Sequence, residues 1–290
     1  MATSELVPAR KPSLSPSELA DAGALVAEAR WNQLAADWRI FIAQGRVYAV
    51  ATPQGRIVAT AATLPYGGRF AWISMVLVAG EYRRRGLATQ LMRRGVDDLV
   101  ASQLVPILDA TPDGREVYRR LGFKDSWGLQ RLVRREPFSA AFAPPAGVVV
   151  RAIDDADWPA LVAYDAAAFG AERGAVLAGL RGRLPAAELV ATRDGRVVGF
   201  ALGRDGRLAA HIGPLTADDD GIACALAARA LDGLEGPVFV DLADAKSALR
   251  GYLDARGFAV ARPFTRMIYG TATRFDDAAR TYAVVGPEFG

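Results

Sequence analysis

The sequence has little of the residues that build disulfides, metal centres and membrane spans. Its 290 residues include one cysteine, Cys224, and one histidine, His211, which excludes an internal disulfide framework, a cysteine-based zinc cluster and a multi-histidine metal site. No apolar run reaches the ~18 residues that a membrane-spanning helix needs. Three lysines stand beside 32 arginines, and the formal net charge is only +3. We therefore expect a soluble, cytoplasmic protein with no metal, and a net charge too small to indicate a nucleic acid partner.

The chain contains an internal repeat. Residues 50–58 (VATPQGRIV) return 140 positions later as residues 190–198 (VATRDGRVV). Three further matches follow in the same order at an offset of 135, namely Gly86-Leu87-Ala88 with Gly221-Ile222-Ala223, Gly122-Phe123 with Gly257-Phe258, and Arg131 with Arg266. A proline-rich stretch at residues 136–147 separates the two copies. The sequence thus predicts two domains of one design, residues 1–137 and 148–290.

Helix and strand patterns alternate within the first copy. The capping box Ser15-Pro16-Ser17-Glu18 predicts a helix from Pro16 to Ala29, and a second helix is predicted from Trp31 to Gln44. Phe70 to Val78 is almost wholly apolar, as is typical of a buried central strand. A further helix is predicted from Gly86 to Ala101. With the shorter strands around these elements, the fold class is mixed α/β.

The loop between the central strand and the following helix is the segment that indicates chemistry. It reads AGEYRRRG over residues 79–86 and leads directly into a helix. The free N–H groups and positive dipole end of a helix start form an anion site, and Gly86 permits close approach of a ligand to the backbone. Neither common phosphate-loop pattern, GxxxxGK[ST] or GxGxxG, is present.

Two motifs give this copy a resemblance to a known family. Arg83-x-x-Gly86-x-Ala88 after an apolar strand resembles the coenzyme A loop of the GNAT acetyltransferase superfamily, whose pattern is Arg/Gln-x-x-Gly-x-Gly/Ala. About 30 residues later, Tyr118-x-x-x-Gly122-Phe123 resembles a second segment of that family. The resemblance implies two tandem GNAT-like domains, each with a mixed, mostly antiparallel sheet and flanking helices, the second being degenerate.

The resemblance also implies roles for individual residues, with acetyl-coenzyme A as co-substrate. Tyr118 would protonate the departing thiolate. The backbone groups that would bind the pantetheine arm belong to Met75, Val76, Leu77 and Val78. The residues that would receive the diphosphate are Arg83, Arg84, Arg85, Gly86, Leu87, Ala88 and Thr89.

The general base is left open by the sequence. Some family members carry a glutamate on the central strand, but Phe70–Val78 contains no acidic residue. Asp109, at the end of the next strand, is our first choice for substrate contact or proton acceptance, with Asp37 and a water chain as alternatives. Asn32 and Asp37, in a segment that also resembles tandem family members, are assigned to the substrate.

The second copy has lost the residues on which the first would depend. Asp218, Asp219 and Asp220 stand where the first copy has three arginines, and Leu253 falls in register with Tyr118. A polyanionic ligand would be repelled there. Split at residue 140, the chain carries +6 in the first part and −3 in the second. We expect the second copy to be structural or to complete the substrate pocket.

The leading hypothesis is an acetyl-coenzyme A-dependent N-acetyltransferase that transfers the acetyl group directly to a primary amine of a small molecule. Direct transfer fits because no nucleophilic cysteine or serine dyad is evident. The alternative is a non-catalytic acyl-coenzyme A-binding sensor or interaction module; nucleic acid binding has no supporting motif. The expected partner is the small-molecule amine, with no nucleic acid and no membrane, and a homodimer is left open.

Overall fold

The structure is a computed structural model. It describes residues 14–137 and 142–290 in full, and residues 7–9 by their backbone alone. Contacts divide the chain into two compact units, residues 1–108 and 109–290. No helix within the described ranges has the length and apolarity to cross a membrane. Part of the predicted linker, residues 138–141, lies outside the described residues.

The first unit consists of helices packed on a mainly antiparallel sheet. Its elements are β1 (Val7–Ala9), α1 (Pro16–Glu28), α2 (Ala35–Gln44), β2 (Arg46–Ala51), β3 (Ile57–Tyr66), β4 (Phe70–Val78), α3 (Leu87–Ala101) and the start of β5 (Val105–Ala110). The strands lie in the order β1-β2-β3-β4-β5. Among the described strands of this unit, the β4–β5 pair alone is parallel. β4 follows the prediction residue for residue.

The first two predicted helix starts in this unit turned out differently. The capping box is confirmed, since the Ser15 N–H donates to Glu18 Oε2 at 2.7 Å and the Glu18 N–H donates to Ser15 Oγ at 3.4 Å. The start of α2 at Trp31 is wrong, because the helix begins at Ala35. The Asp37 carboxylate accepts the Leu34 N–H at 2.7 Å and fixes the extended backbone before the helix.

The second unit begins with the last helix and strand of the first copy and continues through the second copy. Its elements are α4 (Pro112–Arg120), β6 (Phe123–Arg134), β7 (Val148–Ala152), α5 (Trp158–Phe169), α6 (Gly174–Ala178), β8 (Leu189–Arg193), β9 (Arg196–Arg204), β10 (Ala210–Ala217), α7 (Asp220–Leu231), β11 (Val238–Ala243), α8 (Ser247–Asp254), β12 (Ala259–Tyr269) and β13 (Thr281–Ala283). The strand order is β12-β6-β11-β13-β10-β9-β8-β7.

The repeat is visible in the order of elements. The series β2-β3-β4-α3-β5-α4-β6 of the first copy returns as β8-β9-β10-α7-β11-α8-β12. The last strand of the first copy, β6, pairs antiparallel with both β11 and β12. Residues 109–134 therefore pack with elements of the second copy, which explains why the contact division falls before the linker. The domain boundary at residues 137–148 stays a prediction.

Two ion pairs with buried carboxylates join the copies reciprocally inside the second unit. Arg131 on β6 donates two hydrogen bonds, of 2.8 and 2.7 Å, to Asp241 on β11. Its repeat counterpart Arg266 on β12 donates two of 2.8 Å to Asp109 on β5. Each arginine thus comes from the last strand of one copy and each aspartate from an inner strand of the other.

Candidate active site

The central strand β4 bulges and then leaves its parallel neighbour. Pairing of β4 with β5 covers only Phe70–Trp72. Met75 has a φ of 52°, which is unusual for a residue with a side chain, and the register against β3 slips by one residue there. Thr60 Oγ1 holds the bulge by donating to the Met75 carbonyl at 2.9 Å. On the side away from β3, residues 73–78 pair with no strand among the described residues of this unit, so their backbone groups can bind an extended ligand.

The start of α3 presents unused hydrogen-bond donors. Gly86 has a φ of 77° and precedes the helix without a side-chain cap. The amides from Gly86 to Thr89 donate to no acceptor in the described part of the chain. Arg84 also adopts a left-handed conformation, with a φ of 59°. Successive turns of this kind point several N–H groups at one place, which is how a backbone binds a phosphate.

Two arginine side chains of this loop bind other parts of the chain. Arg83 Nε donates to the Val78 carbonyl at 3.1 Å, and its Nη2 lies 3.1 Å from Glu28 Oε1. The same Glu28 oxygen accepts the Gly80 N–H at 2.7 Å. Arg85 Nη2 donates to the Glu81 carbonyl at 2.9 Å. Arg83 and Arg85 therefore hold the shape of the loop, and diphosphate binding by its backbone amides stays a prediction.

Glu28 is a residue that the sequence reasoning missed. It lies at the end of α1, 52 residues before Gly80 and 55 before Arg83, and nothing in its local sequence distinguishes it from a solvated acid. Only the packing of α1 brings its carboxylate to the loop.

An open groove of about 540 Å³ continues from the loop along α3. It combines two guanidinium groups with one carboxylate and several polar groups. Its lining residues are Gly86, Thr89, Gln90, Arg93, Arg94 and Asp97. The groove thus extends the predicted anion site over one further turn of helix and gives it a net positive lining.

The two residues assigned to substrate are both buried. Asn32 and Asp37 have no exposed side-chain surface, and Asp37 caps the start of α2. The structure gives Asp37 a role in shaping the chain before α2. A contact of either residue with substrate stays a prediction.

Tyr118 lies on α4 in the second unit, in an aromatic group. Its ring meets Phe123 edge to face at a centroid distance of 6.2 Å, and Phe123 meets Tyr269 at 5.4 Å. No hydrogen bond joins its hydroxyl to another described residue. Burial raises the pKa of Tyr118 above its usual value near 10, so the phenol keeps its proton at neutral pH. This is the protonation state that a proton donor requires.

Asp109 is committed to an ion pair. Both of its oxygens accept hydrogen bonds from Arg266, whose guanidinium lies 4.3 Å from the centroid of the Trp127 ring. Burial raises the pKa of Asp109, and the charge of Arg266 opposes that shift. The bidentate geometry points to a structural role; acceptance of a substrate proton by Asp109 stays a prediction.

The second copy differs from the first at the helix start and at the position of Tyr118. Asp219 Oδ1 accepts the Ile222 N–H at 2.9 Å, so a carboxylate of the chain itself caps α7, the counterpart of α3. Leu253, in register with Tyr118, is fully buried. Cys224 lies in the core beneath, where burial raises the pKa of its thiol to about 11 and keeps it protonated. No group of residues suited to a metal ion occurs within the described ranges.

A bulged central strand that leaves its parallel neighbour, followed by a glycine loop and an uncapped helix, defines the class of acyltransferase fold that the sequence motifs predict. Two family models match the chain, the acetyltransferase (GNAT) family over residues 17–123 and an acetyltransferase (GNAT) domain over residues 161–283. The chain belongs to the GNAT acetyltransferase superfamily and carries two GNAT domains in tandem.

Relatives and solved structures agree with this assignment. The chain is 23% identical over 222 residues to YitH, an uncharacterized N-acetyltransferase of Bacillus subtilis, covering 76% of this chain and 77% of that protein. A Pyrococcus horikoshii protein proposed to be an acetyltransferase has a TM-score of 0.77 at 18% identity, covering 100% and 98% of the two chains. A tandem GNAT protein from the clavulanic acid biosynthesis pathway has a TM-score of 0.62 at 14% identity, covering 93% and 99%. At such identities the solved structures show the fold alone.

Proposed function

We propose that the protein is an acetyl-coenzyme A-dependent N-acetyltransferase that transfers the acetyl group directly to a primary amine of a small molecule. The observation that carries the proposal is the combination of free amides at Gly86–Thr89 with the unpaired edge of β4 after Trp72. Together they offer an anion site and, before it along the chain, a row of backbone groups for an extended arm.

The first copy has groups that fit each part of this co-substrate. The amides of Gly86–Thr89 would bind the diphosphate, with Arg93 and Arg94 in the adjoining groove adding positive charge. The edge of β4 from Met75 to Val78 would hydrogen-bond the pantetheine arm. When bound, the co-substrate supplies an acetyl thioester.

Within this proposal Tyr118 supplies a proton. Its hydroxyl makes no hydrogen bond to another described residue, and its raised pKa keeps it protonated. A positioned acid of this kind contributes about 10²–10⁴-fold to a rate. The second copy is assigned a structural or pocket-completing role, because its helix start is already occupied by Asp219.

The test of coenzyme binding is isothermal titration of the full chain with acetyl-coenzyme A. Ala88→Asp places a carboxylate in the first turn of α3, where it favours the helix but repels a diphosphate. We expect at least a tenfold loss of affinity with unchanged thermal stability. Ala24→Asp, an exposed position on α1, adds the same charge as the matched control and should leave the affinity unchanged. No binding by the unmodified chain at high micromolar concentration refutes the proposal.

The non-catalytic acyl-coenzyme A-binding module is the competing candidate. The commitment of Asp109 to Arg266 and the lack of an acidic residue on β4 favour it, since both leave the proton acceptor unassigned. A screen of purified protein with acetyl-coenzyme A and a library of small amines, reading free thiol, separates the two. Binding without turnover on any amine supports the module, and turnover on a defined amine class supports the enzyme.

A further inference from the structure

The second copy contains the same opening between central strands as the first, and the chain itself fills it. β10 runs parallel to β11 only from Ala210 to Ile212, as β4 does with β5 over three residues. Beyond that point β13 lies between them. Ala283 pairs with Leu215 of β10 and with Leu242 of β11. A segment of polypeptide thus occupies the place that corresponds to the predicted pantetheine arm of the first copy.

The aspartate run holds this segment at one end. Arg280 Nε lies 3.0 Å from Asp218 Oδ1, and the Tyr282 hydroxyl donates to Asp220 Oδ1 at 2.7 Å. The Ala217 N–H also donates to the Arg280 carbonyl at 3.1 Å. Two of the three aspartates, Asp218 and Asp220, therefore bind side chains of this segment, while Asp219 caps α7.

A buried polar chain holds the other end. Glu288 is 3% exposed and its carboxylate binds the Arg204 guanidinium, which is fully buried. Arg204 Nη2 lies 3.2 Å from His211 Nδ1, and His211 Nε2 lies 3.1 Å from Asp241 Oδ2. The segment passes so close to β10 that a Cβ on Gly213 would lie 2.0 Å from the Val284 carbonyl oxygen. Both backbone and side chains of the second copy are thus shaped to this peptide.

We propose that the cleft of the second copy is a peptide-binding groove whose occupant is residues 277–290 of the same chain, bound by strand addition, so that each chain binds one coenzyme molecule. The ligand class is an extended peptide with an arginine and a tyrosine two positions apart and a glutamate six positions further on. Main-chain pairing gives such a groove its affinity and side-chain contacts its specificity. The stoichiometry in this proposal rests on the proposed function of the first copy, whereas the groove does not.

Two measurements on the full chain test this inference. Isothermal titration with acetyl-coenzyme A should give one site per chain, and two sites would overturn the inference. Amide hydrogen exchange of residues 281–285 tests the groove without coenzyme. Arg280→Asp and Asp218→Arg should each speed exchange at least tenfold, and the double variant should return it to within about threefold of the original rate.

Matched variants keep the exchange measurement decisive. Arg151→Asp breaks an exposed pair with Asp157 elsewhere in the unit and should leave exchange at residues 281–285 unchanged. Tyr282→Phe removes only the hydroxyl bond to Asp220 and serves if a charge reversal fails to fold; it should speed exchange at least threefold. Unchanged exchange in the folded variants overturns the groove. No coenzyme binding in any variant overturns the proposed function alone.

Discussion

Replacing His211 with glutamine should make the protein lose about 1.4 kcal/mol less stability as the pH drops from 7.5 to 5.5. His211 is fully buried between Arg204 and Asp241, and it is the only histidine in the chain. Burial lowers its pKa, with Arg204 and Arg131 acting in the same direction and Asp241 opposing them. The folded state thus holds the ring neutral, while the unfolded chain takes up a proton below about pH 6.5.

The magnitude follows from that difference. A folded-state pKa below the unfolded value means that stability is present above pH 6.5 and is lost as the pH falls. For one group with an unfolded pKa of about 6.5 that stays neutral when folded, the loss between pH 7.5 and 5.5 is ~1.4 kcal/mol. The pKa of Asp241 is lowered, so the stability that its ionisation contributes is lost only below pH 3.8, outside this window.

The assay is urea denaturation at both pH values for the original chain and for His211→Gln. A glutamine amide can still donate to Asp241 and accept from Arg204. The free energy of unfolding is obtained by linear extrapolation, and the pH-dependent loss of the variant is subtracted from that of the original chain. Contributions of Asp109 and the other carboxyl groups cancel in this difference. Equal pH-dependent changes in the two proteins, or a larger loss in the variant than in the original chain, would refute the reasoning.

Three further predictions concern single buried or half-buried groups. Tyr118→Phe should lower turnover about 10²-fold or more while leaving coenzyme affinity within twofold. An unchanged rate removes Tyr118 from the chemistry. Tyr269→Phe, which alters a neighbouring phenol, is the control. Asp109→Asn leaves the buried Arg266 guanidinium without its carboxylate partner. Thermal denaturation should therefore show that the free energy of unfolding falls by about 3–5 kcal/mol. A loss of activity without a loss of stability would contradict the structural role of Asp109. Glu288→Gln should lower the free energy of unfolding by a similar amount, measured by urea denaturation. An unchanged free energy of unfolding would contradict the buried pairing of Glu288 with Arg204.

Features carried by neighbouring residues were accessible from the sequence. The capping box at Ser15 joins residues three apart, and the apolar run of β4 specifies a strand buried on both faces. The repeat and the glycine loop are likewise patterns of spacing. The start of α2 was mispredicted because the capping acid, Asp37, lies inside the helix that it caps and looks like an ordinary helix residue.

What the sequence by itself determined is the two-copy GNAT fold and the loop that begins α3, because helix caps, strand patterns and glycine turns act between residues a few positions apart. Only the tertiary structure decided that Asp109 binds Arg266, that Glu28 holds the loop, and that β13 lies between β10 and β11. Glu28 and Gly80 are 52 positions apart in the sequence, and Asp109 and Arg266 are 157 positions apart. Their geometry depends on which strands the topology brings together, and no local propensity encodes that.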